Sequence, residues 1–140
     1  FTDVMNAVIK EFYPAEKDAA LVLMGHGTVH YANSTYSEMQ LKFWYSGYEN
    51  VYVTTAEGFP SFEDTIKCMR GKGYKKATLV PLMVVAGDHA NNDLASDEDD
   101  SLNTLLKNEG YETTPIVKGL GENKSFQELF VKHALEAKQI

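Results

Sequence analysis

The chain has 140 residues, a formal net charge of −7 and a pI near 5.0, with 44% hydrophobic and 24% charged residues. This length favours one domain, residues 1–140, and the acidic balance argues against nucleic-acid and anionic-membrane surfaces, which need basic patches. A single cysteine, Cys68, excludes an internal disulfide, and no apolar run is long enough to span a bilayer, so we expect a cytoplasmic protein.

Five helical patterns alternate with four short strand patterns along the chain. The amphipathic or capped stretches that predict helices lie at about residues 1–12, 34–46, 61–70, 101–109 and 126–138. The apolar or β-branched runs that predict strands lie at about residues 19–24, 50–55, 76–83 and 112–117. This alternation predicts an α/β fold, with three α/β/α layers around a mostly parallel four-stranded sheet.

Residue types at helix ends and turns add finer predictions. Asn33 or Ser34 is predicted to cap the second helix, and Ser125 to cap the last. Cys68 lies within the third helix and is predicted to be an inert core thiol. The glycines on either side of His26 are expected to let a ligand approach the backbone closely.

Three residues with metal-binding side chains follow three of the predicted strands. The first strand ends at His26, the second ends at Glu57, and the third is followed by His89 in a polar loop. Parallel strands place these ends at one edge of the sheet, where open α/β sheets bind ligands. Two imidazoles and a carboxylate suit a borderline divalent metal such as cobalt, nickel, iron or zinc, with coordination positions left open for a substrate.

Each of these residues also has a purely structural interpretation. A lone histidine in a loop is often solvated or capping, and Glu57, beside Gly58, could cap a turn. His30 is predicted at most to line the site, and His133 to lie on the surface or in the packing of the last helix.

The remaining motifs give little further indication of a catalytic or binding role. Asp88 and Asp93 are predicted to cap the following segment or to hold His89, because a carboxylate often orients a metal-binding histidine. No GxGxxG, Walker or nucleophile-elbow motif occurs, so we expect no nucleotide cofactor.

Three motifs of the chain occur together in one known enzyme family. They are Met24-Gly25-His26-Gly27-Thr28, Thr55-Ala56-Glu57-Gly58 and Val85-Ala86-Gly87-Asp88-His89-Ala90-Asn91-Asn92-Asp93. With the segments Ser96–Asp100 and Lys118–Gly121, they resemble the anaerobic cobalt chelatases, the CbiK-type sirohydrochlorin cobaltochelatases. The Gly-His-Gly turn is weak by itself, whereas the third motif is highly specific, and the resemblance extends over essentially the whole chain.

The resemblance implies insertion of Co2+ into sirohydrochlorin on the route to cobalamin. The metal would be a substrate, with Ni2+, Fe2+ or Zn2+ as surrogates, and no nucleotide would take part. The family's metal-site residues map onto His26, Glu57 and His89. These three residues are also the expected catalytic groups, with one histidine accepting a pyrrole proton.

The family typically has two similar α/β halves with the tetrapyrrole cleft between them, and this chain resembles the C-terminal half. The absence of an initiating methionine at Phe1 suggests a fragment of a longer protein. Substrate binding would then need the N-terminal half, or a homodimer. Lys42, Arg70 and Lys118 are candidates to meet the substrate carboxylates. A non-catalytic metal- or tetrapyrrole-binding half-domain and a plain interaction domain are the alternatives.

Overall fold

A computed structural model describes residues 1–137 of the chain. Its five helices are α1 Thr2–Phe12, α2 Ser34–Tyr45, α3 Phe62–Met69, α4 Leu102–Asn108 and α5 Lys124–Ala137. Its four strands are β1 Ala19–Gly25, β2 Val51–Thr55, β3 Lys76–Pro81 and β4 Glu112–Pro115. The predicted order of elements is therefore confirmed, while the predicted helix end at Lys138 lies outside the described residues.

The four strands form one sheet in the order β2-β1-β3-β4, and every neighbouring pair is parallel. The strand β1 lies between β2 and β3. Its last residue, Gly25, pairs with Thr55 of β2, and Met24 pairs with Pro81 of β3. The carboxyl ends of β1, β2 and β3 consequently lie side by side at one edge of the sheet.

Side chains of β1 alternate between two hydrophobic clusters, because successive strand residues point to opposite faces. Leu21 and Leu23 pack on one face with residues of α1, α2 and α5. Ala20, Val22 and Met24 pack on the other face with residues of α3 and α4. This arrangement confirms the predicted three-layer α/β/α fold. None of the described helices has both the length and the apolar character that crossing a membrane requires.

The predicted third strand extends too far. The strand β3 ends at Pro81, and the exposed residues Val84 and Val85 lie outside the sheet. The segment turns away because the carbonyl of Val84 accepts the N–H of Gly121 at 2.9 Å. The following polar loop also contains an unpredicted π-helical turn, Ala90–Ala95. Ala90 and Leu94 of that turn are fully buried, so their apolar contacts anchor it.

Two side-chain predictions are wrong. Ser125 lies inside α5, and the buried Asn123 caps that helix by accepting the N–H of Phe126 at 2.9 Å. Cys68 is exposed rather than part of the core. The buried stripe of α3 contains Ile66 and Met69 instead, and Cys68 lies beside that stripe.

The outer edge of β2 is closed by side chains from α2. Gln40 donates from Nε2 to the carbonyl of Val51 at 2.8 Å and accepts the N–H of Val53 at 2.6 Å. Trp44 donates from Nε1 to the same Val51 carbonyl at 3.0 Å. These side chains take the place of a neighbouring strand, which is one way in which proteins protect a sheet edge.

Substitution of Gln40 tests this edge. Gln40→Ala should lower the free energy of unfolding by about 1–3 kcal/mol, because the buried N–H of Val53 loses its acceptor. Gln127→Ala is the matched control, because the exposed Gln127 also donates to a carbonyl, that of Gly121 at 2.8 Å, but water can replace this bond, so the expected change is below about 1 kcal/mol. Urea denaturation measures both, and equal effects of the two variants would contradict this account of the edge.

Candidate metal centre

The hydrogen-bond ladder between β1 and β2 continues past the ends of both strands and places Glu57 beside His26. The N–H of Ala56 donates to the carbonyl of Gly25 at 3.0 Å, and the N–H of Glu57 donates to the carbonyl of His26 at 2.8 Å. The Glu57 carboxylate lies 4.0 Å from Nδ1 of His26. The backbone ladder thus places the main chains of the two residues side by side.

The glycines around His26 serve the packing of the turn. A Cβ at Gly25 would lie 2.1 Å from Cε1 of Tyr36, and a Cβ at Gly27 would lie 2.6 Å from the backbone nitrogen of Gly58. Gly27 also has a φ of +83°, which side chains disfavour. The space that was expected to admit a ligand at these positions is therefore filled by protein atoms.

The imidazoles of His26 and His89 are in direct contact. Their Nε2 atoms lie 3.0 Å apart, and the two rings are nearly perpendicular, at 83°. His89 immediately precedes the π-helical turn Ala90–Ala95, whose buried residues fix its backbone. The histidine that follows β1 and the histidine that follows β3 therefore meet at the carboxyl edge of the sheet.

Hydrogen-bond partners indicate how the two rings are protonated. Nδ1 of His26 lies 2.9 Å from the carbonyl oxygen of Gly27, and Nδ1 of His89 lies 2.6 Å from Oδ2 of Asp93. Because both oxygens accept, each Nδ1 carries a hydrogen. A hydrogen bond between the two Nε2 atoms would need one further hydrogen on one of them.

The surroundings of His89 raise the pKa of its imidazole. Its hydrogen bond to Asp93 is the main cause that raises the pKa of His89 above the ordinary value. The negative charges of Asp93, Glu57 and Asp88 raise this pKa further, while partial desolvation opposes them. The predicted contact between Asp93 and His89 is confirmed, and Asp93 orients the ring so that Nε2 points toward His26.

His26, Glu57 and His89 form a group that could hold one metal ion. Each offers one ligand atom, and these atoms lie within 4.8 Å of one another. With metal–ligand distances of about 2.1 Å, two ligands of one ion lie at most about 4.2 Å apart. The two Nε2 atoms satisfy this limit, and the carboxylate of Glu57, whose side chain is 58% exposed, lies 4.0 Å from Nδ1 of His26.

The other singled-out histidines lie outside this group. His30 is exposed, and its Nδ1 accepts the N–H of Ala32 at 3.2 Å at the start of a short 3-10 turn. His133 is exposed on α5. Asn33 precedes α2 as predicted, but its side chain makes no capping hydrogen bond. The sequence gives no signal for what it does instead, which is to bond two loops, at Thr28 and Phe59.

The three candidate cations for substrate carboxylates all form salt bridges. Lys42 pairs with Glu38, Arg70 with Glu109, and Lys118 with Glu11. Lys42 and Arg70 lie at the carboxyl ends of α2 and α3. These helices run back from the carboxyl edge of a parallel sheet, so their last turns lie toward its opposite edge, away from His26.

Comparison with known proteins identifies one family. The chain matches the profile of the cobalt chelatase (CbiK) family over residues 1–139. It is 33% identical over 137 residues to a sirohydrochlorin cobaltochelatase of Salmonella typhimurium, covering 98% of this chain and 52% of that protein. It is 29% identical over 120 residues to the sirohydrochlorin cobaltochelatase CbiKC of Nitratidesulfovibrio vulgaris, covering 86% and 42%. The chain spans about half the length of these curated relatives.

The bond between Asp93 and His89 predicts a pH-dependent effect. Asp93→Asn should lower the pKa of His89, because it removes the charged acceptor at Nδ1. A raised folded-state pKa contributes stability below the unfolded value of about 6.5 and loses that contribution as the pH rises through the folded pKa. The variant should therefore be destabilised most at acidic pH and least near about pH 9.

NMR titration of the imidazoles measures the change in the pKa of His89. Urea unfolding at the acidic and at the alkaline pH measures the change in stability. Asp97→Asn is a matched control, because Asp97 is highly exposed and pairs with Lys107 rather than with His89. An unchanged pKa of His89 in Asp93→Asn would show that the Asp93 carboxylate does not hold the proton on this ring.

Proposed function

Since the chain belongs to the cobalt chelatase (CbiK) family, we propose that it takes part in inserting Co2+ into sirohydrochlorin on the anaerobic route to cobalamin. The observation that carries this proposal is the 3.0 Å approach of the two Nε2 atoms of His26 and His89, with Glu57 beside them. In this account cobalt is a substrate that passes through the site.

The proposed ligands are Nε2 of His26, Nε2 of His89 and the carboxylate of Glu57. Their side chains are 47%, 41% and 58% exposed, so an ion held there keeps open positions for water or for the tetrapyrrole nitrogens. Few protein ligands favour transfer of the ion over tight storage. Nitrogen and oxygen ligands also accept Ni2+, Fe2+ and Zn2+, which we propose as surrogate metals.

The same nitrogens can exchange metal for protons. In this proposal His26 Nε2 and His89 Nε2 share one proton before the metal binds, and Co2+ displaces it. When the ion moves into the ring, two pyrrole protons must leave, and the freed Nε2 pair can take one of them back. The second proton passes to the exposed Glu57 carboxylate or to water. The histidines thus act as metal ligands and as the proton acceptor, and the charge of the site is restored after each turnover.

Exposed apolar side chains in the loops at this edge of the sheet favour a flat organic substrate. They follow β1, β2 and β3 at the same sheet edge, and we call them the apolar rim: Val29, Tyr31, Phe59, Val84 and Val85, each between 48% and 103% exposed. Exposed apolar residues gathered at one place commonly mark a binding surface. A tetrapyrrole face laid on the rim would bring its central nitrogens toward the metal.

We propose that a second α/β half supplies the opposite wall of the cleft. The substrate carries many carboxylates, while this chain has a net charge of −7 and its three candidate cations are paired with glutamates. The second half is either an N-terminal half, in keeping with the greater length of the relatives, or a second copy in a homodimer. Its cationic groups would meet the carboxylates.

Metal binding and insertion test the proposal. Calorimetry with Co2+ should show that His26→Ala and His89→Ala each weaken binding by at least about tenfold. His133→Ala, which removes an exposed histidine outside the group, should change the affinity by less than about twofold. Absorbance spectra with sirohydrochlorin report insertion.

The outcomes separate the alternatives. Insertion that requires His26 and His89 supports the chelatase function for this chain. Histidine-dependent Co2+ binding without insertion would mean that the metal site is intact and the cleft incomplete. Failure of insertion after a second half is added would support the non-catalytic half-domain instead. Equal binding by all variants would contradict the proposed metal site.

The apolar rim generates a separate prediction. Val85→Ser should weaken sirohydrochlorin binding by about three- to tenfold, from lost apolar contact worth about 25 cal/mol per Å2, and should leave Co2+ affinity unchanged. Tyr45→Ser is the control, because Tyr45 is an exposed apolar side chain at the far end of α2. Fluorescence quenching by the tetrapyrrole measures binding. Equal losses in both variants would mean that the rim is not the contact surface.

A further inference from the structure

The side-chain amide of Asn33 joins the two loops that carry His26 and Glu57. Its Oδ1 accepts the N–H of Thr28 at 3.0 Å, and its Nδ2 donates to the carbonyl of Phe59 at 2.7 Å. Thr28 lies two residues after His26, and Phe59 lies two residues after Glu57. A single side-chain amide therefore bonds the backbone of both loops, in each case two residues after the candidate metal-binding residue.

Helix capping does not explain this amide. Asn33 occupies the N-cap position of α2, where asparagine normally accepts a helix N–H, but it makes no such bond. Its hydrogen-bonding groups are directed to the loops instead. Close packing supports this role, because a Cβ at Gly58 would lie 2.3 Å from Oδ1 of Asn33.

We infer that Asn33 is a positioning residue for the candidate metal centre. By fixing the separation of the His26 and Glu57 loops, it keeps the Glu57 carboxylate close enough to join the two histidines on one ion. This inference rests on the proposed function. Glu57 depends most on such support, because its side chain is 58% exposed and its carboxylate lies 4.0 Å from the nearest nitrogen of His26, beyond hydrogen-bond distance.

Asn50 provides a matched control on the same pair of strands. Its Nδ2 donates to the carbonyl of Ala19 at 2.9 Å, and its Oδ1 accepts the hydroxyl of Tyr13 at 2.8 Å. Asn50 thus bridges neighbouring segments as Asn33 does, but at the amino ends of β1 and β2. Asn50→Ala should lower stability without changing the metal centre.

Amide hydrogen exchange tests the inference on the metal-free chain. Asn33→Ala should speed exchange of the Thr28 and Glu57 N–H groups by at least about fivefold relative to Asn50→Ala. Asn33→Asp keeps the acceptor for Thr28 and removes the donor to Phe59, so it should speed exchange at Glu57 more than at Thr28. Unchanged exchange at Glu57 in these variants would overturn the inference.

A double-mutant cycle on Co2+ affinity tests whether the effect passes through Glu57. Asn33→Ala should weaken binding by about tenfold alone, but by less than about twofold in the Glu57→Gln background. An equal loss in both backgrounds, or no loss in either, would overturn this inference and leave the proposed function standing. A wild-type chain without histidine-dependent Co2+ binding would contradict the proposed function and, with it, this inference.

Discussion

The parallel hydrogen-bond ladder on both sides of β1 is the constraint on which the candidate site depends. It aligns the carboxyl ends of β2, β1 and β3, and it continues one step further, from the N–H of Glu57 to the carbonyl of His26. The core below is closely packed, with every residue of β1 buried. The histidines and the carboxylate are thus exposed groups held on a rigid edge, an arrangement suited to a metal that must be captured and then released.

The contact between His26 and His89 connects metal handling with proton transfer. The same two nitrogens that would bind cobalt lie within hydrogen-bond distance of each other, and the bond to Asp93 raises the pKa of His89. In the proposed function, metal and protons would compete for these nitrogens, so that loading the metal would release a proton and delivering it would leave a base. This exchange matches what insertion into a tetrapyrrole requires, because the ring must lose protons as the ion enters.

The sequence was sufficient to predict the order of elements and the edge at which His26, Glu57 and His89 lie, because both follow from local periodicity and parallel strand pairing. It was not sufficient for features that depend on distant contacts. The π-helical turn after His89 requires burial of Ala90 and Leu94 against the sheet, and the role of Asn33 requires a partner 26 residues away. The prediction that the glycines around His26 make room for a ligand was also wrong, because the Tyr36 ring fills the space beside Gly25. No local sequence pattern shows that contact.

The most direct test of the central claim is a crystal structure of the chain soaked with Co2+, with anomalous scattering recorded at the cobalt absorption edge. The account predicts one strong peak within about 2.1 Å of Nε2 of both His26 and His89, with a Glu57 carboxylate oxygen completing the protein ligands. A cobalt peak elsewhere on the acidic surface, with this histidine pair unchanged, would contradict the account.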